Sequence, residues 1–468
     1  MLISVLWLLP AYTPGGNDRE IFRFIGRSIH DGLLPYRDYF DHKPPLIYLI
    51  FYLTEFAAEW DIFVSGTFFL FVSIFLTKAQ ILPKNKISQW LIPLFLIVWL
   101  RNPLFYEYGG LTREYSAYLY CIFFYVLSRN YRIEWLYLIT GLVFIIQQND
   151  ILPLLPLLAY QTKTKAKLKT TGILVNILLF FTPFILITLW LLIGSAFHNF
   201  IDQAFIFNYT VYSKPLSTLH PEAIIRLANQ FVQKINFGII GLTFLFLFHL
   251  LSKKTGYSFL ILLTILLAIV NIVITGRFYG HYFLPLGPIL AFAFIVLDAE
   301  SYSSKFKRFA MILGLCSFIV SILWDNRQFS LSKQIELAEQ NRQVLNQMNE
   351  VIKNNRSGLK HLCVINYSPA FSLYSTYKAP PASPFIYFSL WDEIPAWDKD
   401  LKRYSEFIHS LNKPGTLIFD FTPSRALVRI EMNIALSMTL RQNHREISTI
   451  KDHEGKVMAI VYRTYSSN

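Results

Sequence analysis

The stretch "GILVNILLFFTPFILITLWLLIG" at 172–194 holds no charged side chain. A helix needs about 20 apolar residues to cross the hydrocarbon core of a bilayer. In that core every backbone N–H and C=O must find a partner inside the chain, so the run can only be helical. It has company: apolar segments recur at roughly 1–12, 61–81, 88–101, 114–128, 235–251, 257–275, 281–298 and 308–324, with a broken one at 135–160. A chain that is 54% hydrophobic and 16% charged lies outside the range of ordinary soluble domains. The sequence reads as a mainly α polytopic membrane protein.

Charge then orders the segments. The net charge of +13 is spread over short loops between apolar runs, which argues for membrane topology and against nucleic acid as a partner. Loops at 77–88, 129–134, 161–170, 252–256 and 299–308 hold 14 Lys and Arg in 43 residues, against 11 in 88 on the opposite side. That imbalance is the positive-inside signature, and it puts "KTKAKLK" (163–169) in the cytoplasm. Parity has two consequences. The stretch 135–160 must start and end on the cytoplasmic side, as a hairpin of two half-spans with "QQND" (147–150) at its tip. Irregular backbone at such depth is tolerated only when buried in protein or beside a water-filled cavity. The run "PLIYLIFYLTEFA" (45–57), at ~13 residues, must not cross, and reads as a helix lying in the outer interface. About 11 membrane helices result, half-spans included. Residues 1–12 are short for a span and lack the basic flank of a signal peptide; they read as a late start or a tilted helix.

After residue 326 the texture changes. "SKQIELAEQNRQVLNQMNEVI" (332–352) has helical periodicity, while "HLCVIN", "GTLIFDF" and "VMAIVYRTY" read as strands, the last after a turn at "DHEG" (452–455). The division is therefore a transmembrane domain over 1–326, with a large outer loop at 13–60, and an extracytoplasmic α/β domain over 327–468. Cys121, Cys316 and Cys363 form neither a disulfide framework nor a zinc spacing.

The outer loop carries the chemistry. In "GGNDREIFRFIGRSIHDG" (15–32) Asn17 fits an N-cap, Glu20 the N3 position and Gly32 the helix end. Ile21, Phe22, Ile25 and Ile29 share one face; Arg19, Arg23 and Arg27 recur on another, as expected for contact with anionic headgroups. Asp18 fits a first-turn acid. "YRDYFDHKPPLIYLI" (36–50) then packs Asp38, Asp41, His42 and Lys43 against an apolar helix. Lys43 fits a snorkelling lysine or an anion contact. Asp18, Asp38 and Asp41 are the available ligands for a divalent metal; Asp38 and Asp41 fit equally well as acids that hold the loop's basic residues.

An acid after the first span, then a helix, then "GLLPYRDYFDHKPPLIY" resembles the family 39 glycosyltransferases. These are membrane enzymes of the GT-C superfamily, related to protein O-mannosyltransferases and lipid A aminoarabinose transferases. "EYGGLTREYSAYLY" (107–120), "GRFYGHYFLPLGPIL" (276–290) and "YSPAFSLYSTYKAPPASPF" (367–385) extend the resemblance over most of the chain. Many relatives have Asp-Glu where this chain has Asp18-Arg19. The resemblance implies a GT-C-like fold in a bacterial inner membrane, with the active site and C-terminal domain periplasmic or extracellular. It also implies transfer of a sugar from a polyprenyl-phosphate donor to a lipid, glycan or protein acceptor. Asp18 would be the base, with Asp41 and Glu114 the other candidate catalytic acids. Lys43, Arg277 and His281 would meet the phosphate, and Tyr282 and Arg113 would add substrate contacts. Glu114 and Arg113, adjacent at a span edge, also fit a structural pair. No role follows from sequence for His220 or for the "QQND" tip. The rival classes are a polytopic transporter or lipid flippase, or a binding protein that keeps the fold without catalysis. No two-fold repeat of hydrophobic segments supports the transporter.

Overall fold

The protein is described here from a computed structural model covering residues 17–81, 86–106, 109–165, 170–212, 255–273, 279–301, 305–325, 331–365, 367–385, 402–421 and 430–464, with isolated positions between 225 and 243. The segments expected at 1–12 and 235–251 lie largely or wholly outside these residues, as do Arg277, His220 and most of "KTKAKLK".

The loop expected on the outer side opens with α1 (Asn17–Ser28) and continues after a turn into α2 (Leu46–Leu53). The long helices α3 (Asp61–Gln80), α4 (Lys86–Leu100) and α5 (Thr112–Ser128) follow. Next come α6 (Ile133–Ile146), α7 (Leu155–Lys165) and α8 (Thr170–Ile193). A helix α9 (Phe197–Ile201) runs on into two π-helical turns over 202–206 and 208–212. Then α10 (Thr255–Val273), α11 (Leu286–Ser301) and α12 (Lys305–Asp325) complete the bundle.

Apolar side chains face two environments. The window of α8 from Gly172 to Ile193 is only 17% buried, whereas Gly280–Ala299, which includes most of α11, is 89% buried. Both are long and apolar enough to cross a bilayer; α8 leaves most of its apolar side chains uncovered by protein, whereas α11 is packed within the bundle. On α3, Phe68, Phe71 and Phe75 share an exposed stripe of the kind that water would penalise and lipid does not.

Side-chain contacts join the ends of neighbouring helices. Arg129, after α5, donates to the Ala79 carbonyl near the end of α3. Ser88 at the start of α4 donates to Asp298 near the end of α11, 2.6 Å away. At the other end of α4, the Trp99 indole N–H reaches the Phe283 carbonyl at 2.8 Å. The segment 135–160 folds as expected: α6 and α7 are separated by a 3-10 turn over Gln148–Leu154. The Tyr137 and Thr162 hydroxyls meet at 2.9 Å, which closes the hairpin at its base.

The C-terminal unit holds α13 (Leu331–Asn354), α14 (Ser372–Tyr377), α15 (Lys402–Leu411) and α16 (Ile430–Asn443). Its four-stranded sheet, order β1-β2-β4-β3, comprises β1 (His361–Ile365), β2 (Thr416–Asp420), β3 (His444–Lys451) and β4 (Val457–Thr464). β1 runs parallel to β2, and β4 is antiparallel to both β2 and β3. Three strands and the "DHEG" turn match the sequence reading; Asp452 closes that turn by accepting the Glu454 and Lys456 N–H groups at 3.0 and 2.9 Å. The edge strand β3 was not expected, because "HREISTIK" lacks an apolar face.

The sheet unit sits on α1 and the segment that follows it. Phe371 and Tyr374 pack on Phe24 of α1, and the Phe40 N–H donates to the Pro384 carbonyl at 2.9 Å. α1 is buried over most of its surface, which overturns the headgroup reading of Arg19 and Arg23, while Arg27 is half-buried. Arg19 is 2% and Arg23 7% exposed, and both pair with Glu20, at 2.8 and 3.6 Å.

Candidate active site

The site grows from the turn between α1 and α2. Gly32, with φ 78°, ends the helical run in the left-handed conformation that glycine adopts without strain. α1 then lies directly on α2: a Cβ at Gly26 would sit 2.6 Å from the Phe51 Cβ. α2 has eight residues, about 12 Å of helix, too short to cross, in keeping with the interfacial reading. Its Ile47, Tyr48 and Phe51 are buried while Leu53 is exposed.

The segment 36–43 is fixed by its own polar groups and by α9. The Tyr36 hydroxyl donates to the Lys43 carbonyl at 2.6 Å, tying the two ends of the segment. Asn199 and Gln203 donate to the Tyr36 carbonyl at 3.1 and 2.9 Å, and Asn208 donates to the His42 carbonyl at 2.6 Å. Gln203 and Asn208 are five residues apart, the spacing that a π-helical turn brings to one face. Gln203 also accepts the Asp41 N–H at 3.1 Å.

The three acids of this region divide. Asp38 accepts the Leu34 N–H at 2.7 Å and pairs with Arg37 at 2.7 Å, so it holds the loop. Asp41, 1% exposed, accepts the backbone N–H groups of His42 and Lys43 at 2.6 and 3.2 Å. Burial pushes its carboxyl up to about 6, against the pull of the Tyr48 hydroxyl and the Lys43 charge; the nearby charge of Asp18 adds to the rise. Asp18 is half-buried in the first turn of α1 and takes no hydrogen bond or ion pair among the described residues. Those residues contain no group of three or more His, Cys, Asp or Glu with metal-ligand geometry.

Lys43 and His42 stand on the wall of a cavity of about 330 Å³, at the small end for ligand pockets. The rest of that wall includes Gln147, Gln148 and Asn149 of the hairpin tip, Asn208 beside α9, and Tyr282. Sequence reasoning found no role for the hairpin tip, although four polar residues at the turn of an apolar hairpin were its signal.

Behind Tyr282 lies a second layer. The Arg113 guanidinium stacks on the Tyr282 ring, 4.6 Å from its centroid, and pairs with Asp150. Asn271 donates to the same Asp150 oxygen at 2.8 Å. Arg113 therefore reaches the cavity through Tyr282, and Asp150 is the partner that the sequence did not reveal. His281 is buried edge-on against Tyr282, with ring centroids 4.8 Å apart. Glu114 faces elsewhere. It pairs with Arg101 at 2.9 Å, and accepts the Gly110 N–H at 2.7 Å and the Tyr118 hydroxyl at 2.5 Å. Arg101 in turn donates to the Gly66 carbonyl at 2.7 Å. The expected Arg113–Glu114 pair is thus replaced by two separate buried pairs. Successive residues on a helix point about 100° apart, so neighbours in sequence find different partners.

This architecture is known. ArnT from Cupriavidus metallidurans, solved bound to undecaprenyl phosphate, superposes with a TM-score of 0.56 at 12% identity, over 100% of this chain and 97% of that one. The same protein in its apo state gives 0.58 at 11% identity, over 98% and 96%. The chain has the ArnT fold. That fold is the one that the resemblance of the motifs implies. No protein-family model and no curated protein matches the sequence.

Proposed function

We propose that the protein is a membrane glycosyltransferase that moves a sugar from a polyprenyl-phosphate donor to a lipid, glycan or protein acceptor at the outer face of a bacterial inner membrane. The observation that carries this reading is Lys43, a cation on the wall of a polar cavity at the start of an apolar interfacial helix. A lipid phosphate needs that combination: a charge-assisted contact for the headgroup beside an apolar surface for the chain. The ArnT fold, whose crystal structure holds undecaprenyl phosphate, supports it.

The residues divide the work. Asp18 is the base: its carboxylate has no competing partner among the described residues, and it takes the acceptor hydroxyl's proton as that oxygen attacks the anomeric carbon. The bond from the anomeric carbon to the phosphate oxygen breaks, and the electron pair stays on the departing polyprenyl phosphate. Lys43 stabilises the growing phosphate charge, aided by Arg277 and His281. Asp41 is too buried to meet an acceptor and positions Lys43 through its backbone. Arg113 fixes Tyr282. Glu114 holds the end of a span.

The test is purified protein given polyprenyl-phosphate sugars, with release of polyprenyl phosphate followed over time. Release that requires an acceptor is the expected result; absence of binding to any polyprenyl phosphate would overturn the reading.

A further inference from the structure

The cavity wall is rich in side-chain amides and, among its described lining residues, has no carboxylate. Each of three amides is anchored at one end. Gln147 Oε1 accepts the Thr112 hydroxyl at 2.8 Å, Gln148 Nε2 donates to the Ala204 carbonyl at 3.2 Å, and Asn208 Nδ2 donates to the His42 and Ala204 carbonyls at 2.6 and 2.8 Å. The other ends, Gln147 Nε2, Gln148 Oε1 and Asn208 Oδ1, have no partner among the described residues, and neither does the Asn149 amide. The anchoring leaves donors and acceptors interleaved on one wall, and a hydroxyl both gives and takes a hydrogen bond. Phe144, Phe205 and Tyr282 supply ring surface for the C–H faces of a sugar.

We propose that the transferred sugar is neutral and that Gln147, Gln148, Asn149 and Asn208 read its hydroxyls. The proposal rests on the glycosyltransferase reading above. Among the described lining residues an ammonium-bearing sugar would find the cation Lys43 and the imidazole of His42 and no carboxylate; the base Asp18 is not one of them, and burying a charge without a partner beside it is costly. A sugar carboxylate would compete with the lipid phosphate for Lys43. Neutral hydroxyls meet neither obstacle.

The experiment compares four ligands on the purified full-length protein: polyprenyl phosphate alone, and the same lipid phosphate bearing glucose, 4-amino-4-deoxyarabinose or glucuronic acid. The neutral donor should bind at least about tenfold more tightly than either charged-sugar donor. In Gln147→Ala and in Asn149→Ala, affinity for the neutral donor should fall about three- to tenfold, one or two hydrogen bonds' worth. Affinity for bare polyprenyl phosphate should not change, which also shows that the variants are folded. Asn149 is exposed, so that variant keeps the test open even where Gln147→Ala does not fold. An amino-sugar or uronic-acid donor that binds as well as the neutral one overturns the proposal while leaving the glycosyltransferase reading intact. So does a neutral donor that binds no better than bare polyprenyl phosphate. Failure to bind polyprenyl phosphate at all overturns both.

Discussion

Two sets of buried charges lie at the same end of the bundle, and they are built differently. Arg101 and Glu114, both fully buried, bond to one another and to Gly66, Gly110 and Tyr118, which leaves Arg101 Nε as the one unbonded nitrogen of the pair. Lys43 and the amides of the hairpin tip instead border open volume, with amide ends left for a ligand. Burial and charge alone therefore do not mark a site. The mark is polar capacity that the fold brings together and does not use. A closed pair fixes where two helices meet, whereas an open wall is complete only when something binds.

Asp18→Asn is the severest way to test that distinction. Asn has nearly the same size and can still accept a hydrogen bond, but it takes no proton at neutral pH. Turnover should fall about a hundred- to ten-thousandfold, the usual cost of losing a general base, with donor affinity unchanged. Near-normal turnover would reduce Asp18 to a first-turn helix acid worth ~0.3–1 kcal/mol of stability.

Glu114→Gln should show the opposite profile. It strands the Arg101 charge, and breaking a buried pair costs roughly 3–5 kcal/mol of stability. Turnover per folded molecule should stay within about twofold, since under the transition-state relation a twofold change is well under 1 kcal/mol. Unfolding midpoints and turnover measured on the same preparation separate the two effects. Intact stability with lost turnover would return Glu114 to the catalytic acids.

Lys43→Ala comes next. Loss of a charge-assisted phosphate contact costs on the order of 1.5–3 kcal/mol, or about ten- to a hundredfold in rate. Lys165, at the end of α7, is the control. Equal small effects at both positions would make Lys43 a snorkelling lysine.

How much of this was legible in sequence follows the same division. The hairpin at 135–160 came from loop charge and parity, and three of four strands came from their apolar runs. These are periodic or compositional features that one segment carries alone. The Arg113–Asp150 pair was not legible, because its partners are 37 positions apart and each sits beside a more obvious neighbour. The burial of Arg19 and Arg23 was hidden for a related reason: a row of arginines on a helix looks solvated until the rest of the fold is packed around it. The π-helical turns that bring Asn208 to the loop leave no pattern in hydrophobicity. Asp38, Asp41 and Lys43 were found at once, as charges crowded beside two prolines and an apolar helix, but sequence did not divide their tasks.

Asp41 gives the smallest effect and the finest test of that division. Its carboxyl titrates at about 6 in the folded protein, against an ordinary aspartate value near 4. Between about pH 4 and 6 the native state therefore holds a proton that the unfolded chain has released, and stability falls as pH rises through that window. Above it, the buried carboxylate costs on the order of 3 kcal/mol, about two pH units at 1.36 kcal/mol each. Asp41→Asn keeps an oxygen for the His42 and Lys43 N–H groups and removes the charge. The variant should be more stable at neutral pH by roughly 1–3 kcal/mol, and its unfolding midpoint should lose the fall between pH 4 and 6 that the wild-type protein shows. Donor affinity should change by less than in Lys43→Ala, because the backbone contacts that place Lys43 survive. Parallel stability curves for wild type and variant across that range would mean that Asp41 is not held in a desolvated state, and would place it among the solvated loop acids with Asp38.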